Sequence, residues 1–202
     1  MGVFTISGRN LMLNAIKGTN PATQITHVGL FTKGANVTGL TSVTSTDTFT
    51  KVGHGLANGD LILLSALTGG TALVAGRPYY VVGVSGNNFQ VAHTSGGAAV
   101  DHGTDVTAGT FNKLTEISGG SPAYARQVIA FNAAADGTMD DSTNGAVFDI
   151  PAGGVVDYVG YHSASTAGTL QALDDLTQES FSGQGTYTLT DADLDLLASG
   201  GS

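Results

Sequence analysis

Gln24-Ile25-Thr26-His27-Val28-Gly29-Leu30-Phe31-Thr32 and Val155-Val156-Asp157-Tyr158-Val159-Gly160-Tyr161-His162-Ser163 align without a gap. Both place a glycine between a valine and a bulky residue, with apolar or aromatic groups on either side. Runs of β-branched and aromatic residues of this length predict strands. A glycine inside a strand predicts a bulge or a close backbone approach, which assigns that role to Gly29 and Gly160. The two copies are separated by a long stretch of different texture. The reading is therefore an all-β scaffold interrupted by an insertion.

Residues 1–39 and 114–202 are expected to form the discontinuous scaffold, and residues 40–113 an inserted small β domain. Ser7 can cap a short N-terminal helix with Leu11, Met12 and Ile16 on one face, ended by Gly18 before Asn20-Pro21. In the insert, Asp47–Lys51, Leu61–Leu64, Tyr79–Val84 and Phe89–His93 read as strands of a β-meander, punctuated by glycine turns. Tyr79–Val84 and Phe89–His93 form the clearest hairpin, through Ser85-Gly86-Asn87-Asn88. In the scaffold, strands are expected at Tyr124–Phe131, Ala146–Ile150, Val155–Ser163, Thr169–Leu173 and Gly185–Leu189. Strands at roughly ten-residue spacing indicate a β-sandwich or jelly-roll-like scaffold.

Composition narrows the function classes. Glycine supplies 30 of 202 residues, about twice its usual share of ~7 %, as short strands joined by tight turns require. The absence of cysteine excludes disulfides, thiol catalysis and cysteine-based zinc sites. No leader peptide is legible at Met1–Thr5, and no apolar run approaches the ~18 residues that span a bilayer, so membrane insertion is not expected. Residues 127–202 carry eleven acids and no lysine or arginine. An acidic C-terminal third repels phosphate backbones, so nucleic acid is not an expected partner.

Residues able to do chemistry are few. Asp191, Asp193 and Asp195 alternate, as a calcium-binding row or simply a solvated strand face would. The Asp136–Asn144 loop is oxygen-rich but lacks calcium-loop spacing. His93, Asp101, His102 and Asp105 cluster in sequence without a ligand pattern, and His27 and His162 sit on the repeated strands. Asp174, Asp175 and Glu179 offer paired carboxylates of undefined separation. No serine lies in a nucleophile elbow and no phosphate-cradling loop is present. No catalytic residue, metal site or cofactor is therefore expected. Aromatic residues at strand spacing usually build the core; the alternative is a contact surface, for which Tyr79, Tyr80, Phe89 and Tyr161 are the candidates.

Glu116-Ile117-Ser118-Gly119-Gly120-Ser121-Pro122-Ala123-Tyr124-Ala125-Arg126-Gln127 is similar to a signature of small structural proteins of tailed bacteriophages, of the tail-fibre or minor-tail type. The short helix at Asn10–Ile16 and the strands at Thr26–Thr32, Val156–Tyr161 and Gly185–Thr190 resemble the same family, over about residues 1–38 and 114–202. The insert resembles a mobile β module of phage virion proteins through His54-Gly55-Leu56, Gly76-Arg77-Pro78-Tyr79-Tyr80 and Asn88-Phe89-Gln90-Val91. The resemblance implies a non-enzymatic virion protein, assembled in the host cytoplasm as a tail component or capsid decoration. It implies other virion proteins as partners and a homo-oligomer, a trimer first among the options. The alternative is a module that binds a host receptor or glycan. Family members usually run directly from the first strand to the Ser-Gly-Gly segment, so the insert is a departure.

Overall fold

The computed structural model describes residues 3–4, 24–132, 138–139, 145–190, 192 and 194–195. The expected helix over Asn10–Ile16, the Asp136–Asn144 loop other than Thr138–Met139, and Asp191 and Asp193 lie outside the described residues. Described residues form strands and turns and no helix. In chain order the first strands are Val3–Phe4 (β1), His27–Lys33 (β2), Val37–Thr38 (β3), Thr41–Val43 (β4), Thr48–Thr50 (β5), Leu61–Gly69 (β6), Pro78–Ser85 (β7) and Asn88–Ala92 (β8). Then come Val106–Glu116 (β9), Gln127–Val128 (β10), Thr138–Met139 (β11), Ala146–Ile150 (β12), Val155–His162 (β13), Leu170–Ser180 (β14), Gly185–Leu189 (β15) and Leu194–Asp195 (β16). The chain divides into a scaffold of residues 1–32 and 116–202 and an insert of residues 33–115.

In the scaffold, β1, β14, β13, β2 and β10 lie side by side, antiparallel. The duplicated strands are direct neighbours, with Gly29 opposite Gly160, Val28 opposite Tyr161 and Leu30 opposite Val159. Residues directly opposite one another share a sheet face. One face therefore carries Val28, Leu30, Val159 and Tyr161, all buried. The β12–β15 ribbon supplies Phe148, Ile150 and Leu189 to the same cluster. The other face carries His27, Gly29, Phe31, Tyr158, Gly160 and His162.

Neither glycine is a bulge, because the β2–β13 register passes through both without a shift. Each instead marks a close approach. A Cβ at Gly29 would lie 2.7 Å from Glu116 Oε1, and one at Gly160 would lie 2.5 Å from Phe31 Cε2 and 2.8 Å from Leu170 Cδ1.

The insert is not a simple meander. Its strands are ordered β9-β6-β7-β8-β5-β4, so β5 pairs with β8 and the chain crosses over twice. The sheet also closes on itself. β3 pairs with β9, Gly39 turns the chain with a positive φ of 75°, and Leu40 N–H donates to Gly109 O at 3.0 Å. Further along, Val106 N–H donates to Ser42 Oγ at 3.1 Å, and Thr44 N–H to Asp105 Oδ1 at 2.7 Å. Closure pairs what would otherwise be exposed strand edges. It also explains why the unit begins at Lys33 rather than near residue 40: β3 is one side of the closure. Phe49, Phe89, Phe111, Tyr79, Ile62 and Leu64 fill the interior. Phe49 stacks on Phe89 at 5.3 Å, and Phe89 meets Phe111 edge-on at 5.9 Å. Each such pair contributes about 0.5–1.5 kcal/mol beyond area burial.

Two expected elements are redrawn. Tyr124–Phe131 is strand only at Gln127–Val128. Tyr124 N–H closes a turn on Gly119 O at 2.8 Å instead of joining a ladder. Conversely, β9 reads poorly as a strand because Ala108-Gly109 breaks its alternation, yet it is among the longest in the insert.

Candidate functional site

The Glu116–Gln127 segment folds into an ordered network on the scaffold. Gly119 and Gly120 take positive φ values of 86° and 91°, reversing the chain so that Glu116 and Arg126 meet. Arg126 grips Glu116 with two parallel bonds, Nε to Oε1 and Nη2 to Oε2, both 2.7 Å. Its Nη1 donates to Ala164 O at 3.1 Å. Such a bidentate pair fixes geometry as well as charge. Tyr124 stacks its ring on Phe148 at 5.9 Å and places its hydroxyl where a neighbouring strand's carbonyl would be, accepting Leu30 N–H at 2.6 Å. Beside it, Ile117 N–H donates to Leu30 O at 2.9 Å. The Tyr124 hydroxyl also donates to Glu116; burial, and secondarily that carboxylate, hold its pKa far above the ordinary tyrosine value, so it is a permanent donor.

Gly29 is the sequence condition for this network, since any side chain there would occupy the space taken by Glu116, the Tyr124 hydroxyl and the Arg126 stem. A cleft of about 460 Å³ opens over the pair, lined by Glu116, Ser118, Tyr124, Arg126, Ser165 and Thr166 among others. The volume falls within the range of small-molecule sites. However, both carboxylate oxygens and three guanidinium N–H groups already have protein partners, so the arrangement acts first as a clamp on the β2 edge.

Removing one side of the clamp has a definite expected outcome. Glu116→Ala leaves the Arg126 charge, with a side chain 13 % exposed, without its carboxylate. The loss is about 2 kcal/mol, between the ranges for exposed and fully buried pairs. Tyr124→Phe strands the Leu30 N–H and costs about 1–2 kcal/mol. Urea denaturation of the two variants measures both. Because the groups form one network, the double variant is expected to lose less than the sum.

The other candidates fall elsewhere. Tyr79, Phe89 and Tyr161 are fully buried and Tyr80 is half-buried, so the four do not form a contact surface. The tyrosine hydroxyl of Tyr79 is occupied by Val74 N–H at 2.9 Å. Tyr161 belongs to the scaffold core and the other three to the insert, whose interior needs large rings. His93 packs on Tyr79 at 5.4 Å. Asp101 accepts Gly103 N–H, and Asp105 accepts both the backbone and the hydroxyl of Thr44, which holds its carboxyl below the ordinary range. His102 is fully buried, with Nδ1 2.9 Å from Ser42 Oγ and its backbone N–H on Asp47. Burial holds its ring pKa below the ordinary value, against the pull of Asp47 and Asp101. Ser42 Oγ also accepts Val106 N–H, so the Ser42–His102 pair is a polar lock where the sheet closes on itself. Among the described residues, no group of three or more His, Cys, Asp or Glu could hold a metal ion. His27 Nδ1 lies 2.9 Å from Thr26 Oγ1.

No family model, curated protein or solved structure matches the chain.

Proposed function

We propose that the chain is a non-enzymatic structural protein of a tailed-bacteriophage particle, with a β-sandwich-type scaffold acting through repeated protein–protein interfaces. It serves as a tail component or capsid decoration and assembles as a homo-oligomer, a trimer first. The observation that carries this reading is the use made of the Glu116–Gln127 segment, where the resemblance to phage structural proteins is most specific. Glu116, Tyr124 and Arg126 bind one another, and Tyr124 binds the β2 backbone, so they hold a scaffold together. A segment carrying catalytic or ligand-binding chemistry would leave such groups facing a substrate. Receptor or glycan binding is the weaker alternative, because three of its four candidate aromatics lie inside cores.

Two measurements test the reading. An epitope inserted at the exposed Ser95-Gly96 turn is expected to decorate purified particles at regular, repeated positions in electron microscopy; particles free of the protein would sink the proposal. Light scattering after size exclusion is expected to give an oligomeric mass, and a persistent monomer at high concentration would remove the homo-oligomer.

A further inference from the structure

His162 is an ionisable side chain spent on the scaffold interior. It is 2 % exposed, and neither ring nitrogen has a hydrogen-bond partner of good geometry. Its ring stacks on Phe31, with centroids 5.8 Å apart and planes 15° apart. It leans over the backbone of Gly160, its Nε2 only 3.1 Å from where a Cβ would stand. From β2 it faces His27 and Phe31, and from β14 it faces Leu170. From the Glu116–Gln127 segment it faces the charges of Arg126 and Glu116, and from the following loop it faces the Gly168 backbone. That loop, Ser163–Thr169, is tied down by Thr26 Oγ1 to Ser163 O at 2.9 Å, by Thr169 N–H to Ser163 Oγ at 2.9 Å, and by Arg126 to Ala164 O.

We propose that His162 is an acid-operated latch: protonation of its ring releases Arg126 and the Ser163–Thr169 loop from the β2–β13 face and uncovers the β2 edge at Leu30. An imidazolium carries two N–H donors, and here it would sit beside the Arg126 guanidinium with only the Gly168 backbone placed to accept from one of them. The carboxylate facing it, Glu116, already holds Arg126 with both oxygens. If Glu116 turns to the imidazolium, Arg126 loses its partner and the Tyr124 hydroxyl loses its acceptor. If Glu116 stays, the two cations separate only by lifting the loop that Arg126 anchors. The first route loosens the Tyr124 hydroxyl that caps the Leu30 N–H, and the Leu30 amide at the β2 edge then opens to solvent.

The direction with pH follows from burial, which with the Arg126 charge depresses the ring pKa to about 4 against an ordinary 6.5. Above pH 6.5 the ring is neutral open or closed, and the latch has its full stability. As pH falls from 6.5 towards 4 the open state takes the proton first, and closure weakens. Between pH 7 and pH 4 the open-to-closed ratio is expected to rise roughly a hundredfold.

The test is hydrogen exchange at the Leu30 amide of the full chain, corrected for the intrinsic pH dependence of exchange, with proton NMR of the histidine rings. Expected are a His162 ring still neutral at pH 5 and Leu30 protection that falls between pH 6.5 and pH 4. In His162→Phe, which keeps the stack without a titrating group, Leu30 protection is expected to stay level over that range. A His162 ring titrating near its ordinary pKa, or the same loss of protection in His162→Phe, overturns the proposal. Should His162→Phe not fold, the ring titration and the Leu30 profile of the unaltered chain decide it alone. His102, also buried and with its ring pKa lowered by that burial, lies in the insert, so a readout at Leu30 keeps the two histidines apart.

Discussion

Replacing Gly160 with valine is expected to unfold the scaffold and leave the insert folded. Gly160 faces Gly29 across the β2–β13 pair, and the space above it is filled by Phe31, Leu170 and His162. The first added carbon alone would lie 2.5, 2.8 and 3.1 Å from atoms of those three side chains. Each belongs to a different strand position, and two of them stack on one another, so they cannot move aside independently. Overpacking a filled site costs about 1–3 kcal/mol, and a branched side chain at this one belongs at or beyond the upper end. Gly183→Ala is the control, since nothing lies within 4 Å of the added carbon and its φ lies outside the left-handed region. Calorimetry is expected to show the scaffold transition lowered or lost in Gly160→Val and unmoved in Gly183→Ala. A Gly160→Val protein with an unchanged scaffold transition would refute the close-approach account.

Tyr79→Ala is expected to unfold the insert. Tyr79 is fully buried among Phe49, Phe89 and Phe111 in a unit of residues 33–115. Truncating a buried aromatic costs about 3–5 kcal/mol. A core in a domain near this size supplies about as much in total. The alanine variant also strands the Val74 N–H that Tyr79 now receives. Tyr79→Phe keeps the ring and loses only that bond, for about 1 kcal/mol. The pair of variants therefore separates packing from hydrogen bonding in one thermal scan. Tyr79→Ala also cannot serve as a probe of ligand contact, because any binding lost would follow from unfolding; Tyr80, half-buried, is the residue on which such a test is meaningful.

The fold is most legible in the sequence where a local pattern is repeated or bounded by turns. The matched strands around Gly29 and Gly160 were visible as a repeat, but that they are each other's neighbours is a tertiary fact with no local signature. The β7–β8 hairpin was legible because apolar runs flank a Gly-Asn turn. β9 was not, since Thr107-Ala108-Gly109-Thr110 lacks alternation and becomes a strand only by closing the barrel against β3 and β6. The clamp was half legible: Glu116, Tyr124 and Arg126 stood out in a recognisable segment, but its alternation pointed to a strand. Long-range partners, Leu30 and Ala164, override that pattern by drawing the side chains into bonds a ladder could not make. The buried state of Tyr79, Phe89 and Tyr161 was the default for aromatics at strand spacing, and the structure removes the surface alternative.

The two ends of the insert are held together from within: Gly34 N–H donates to Lys113 O at 2.8 Å. To the scaffold, a folded insert is therefore equivalent to a short hairpin loop joining Leu30 to Ile117. An unfolded insert becomes a slack tether of some eighty residues, and closing it costs about 2–3 kcal/mol more in chain entropy. The dependence runs one way. The insert is a continuous stretch of chain and closes no loop through the scaffold, so scaffold failure in Gly160→Val adds no such closure cost to it. Melting of the insert in Tyr79→Ala, by contrast, removes from the scaffold about as much stability as losing its half-buried Glu116–Arg126 pair would.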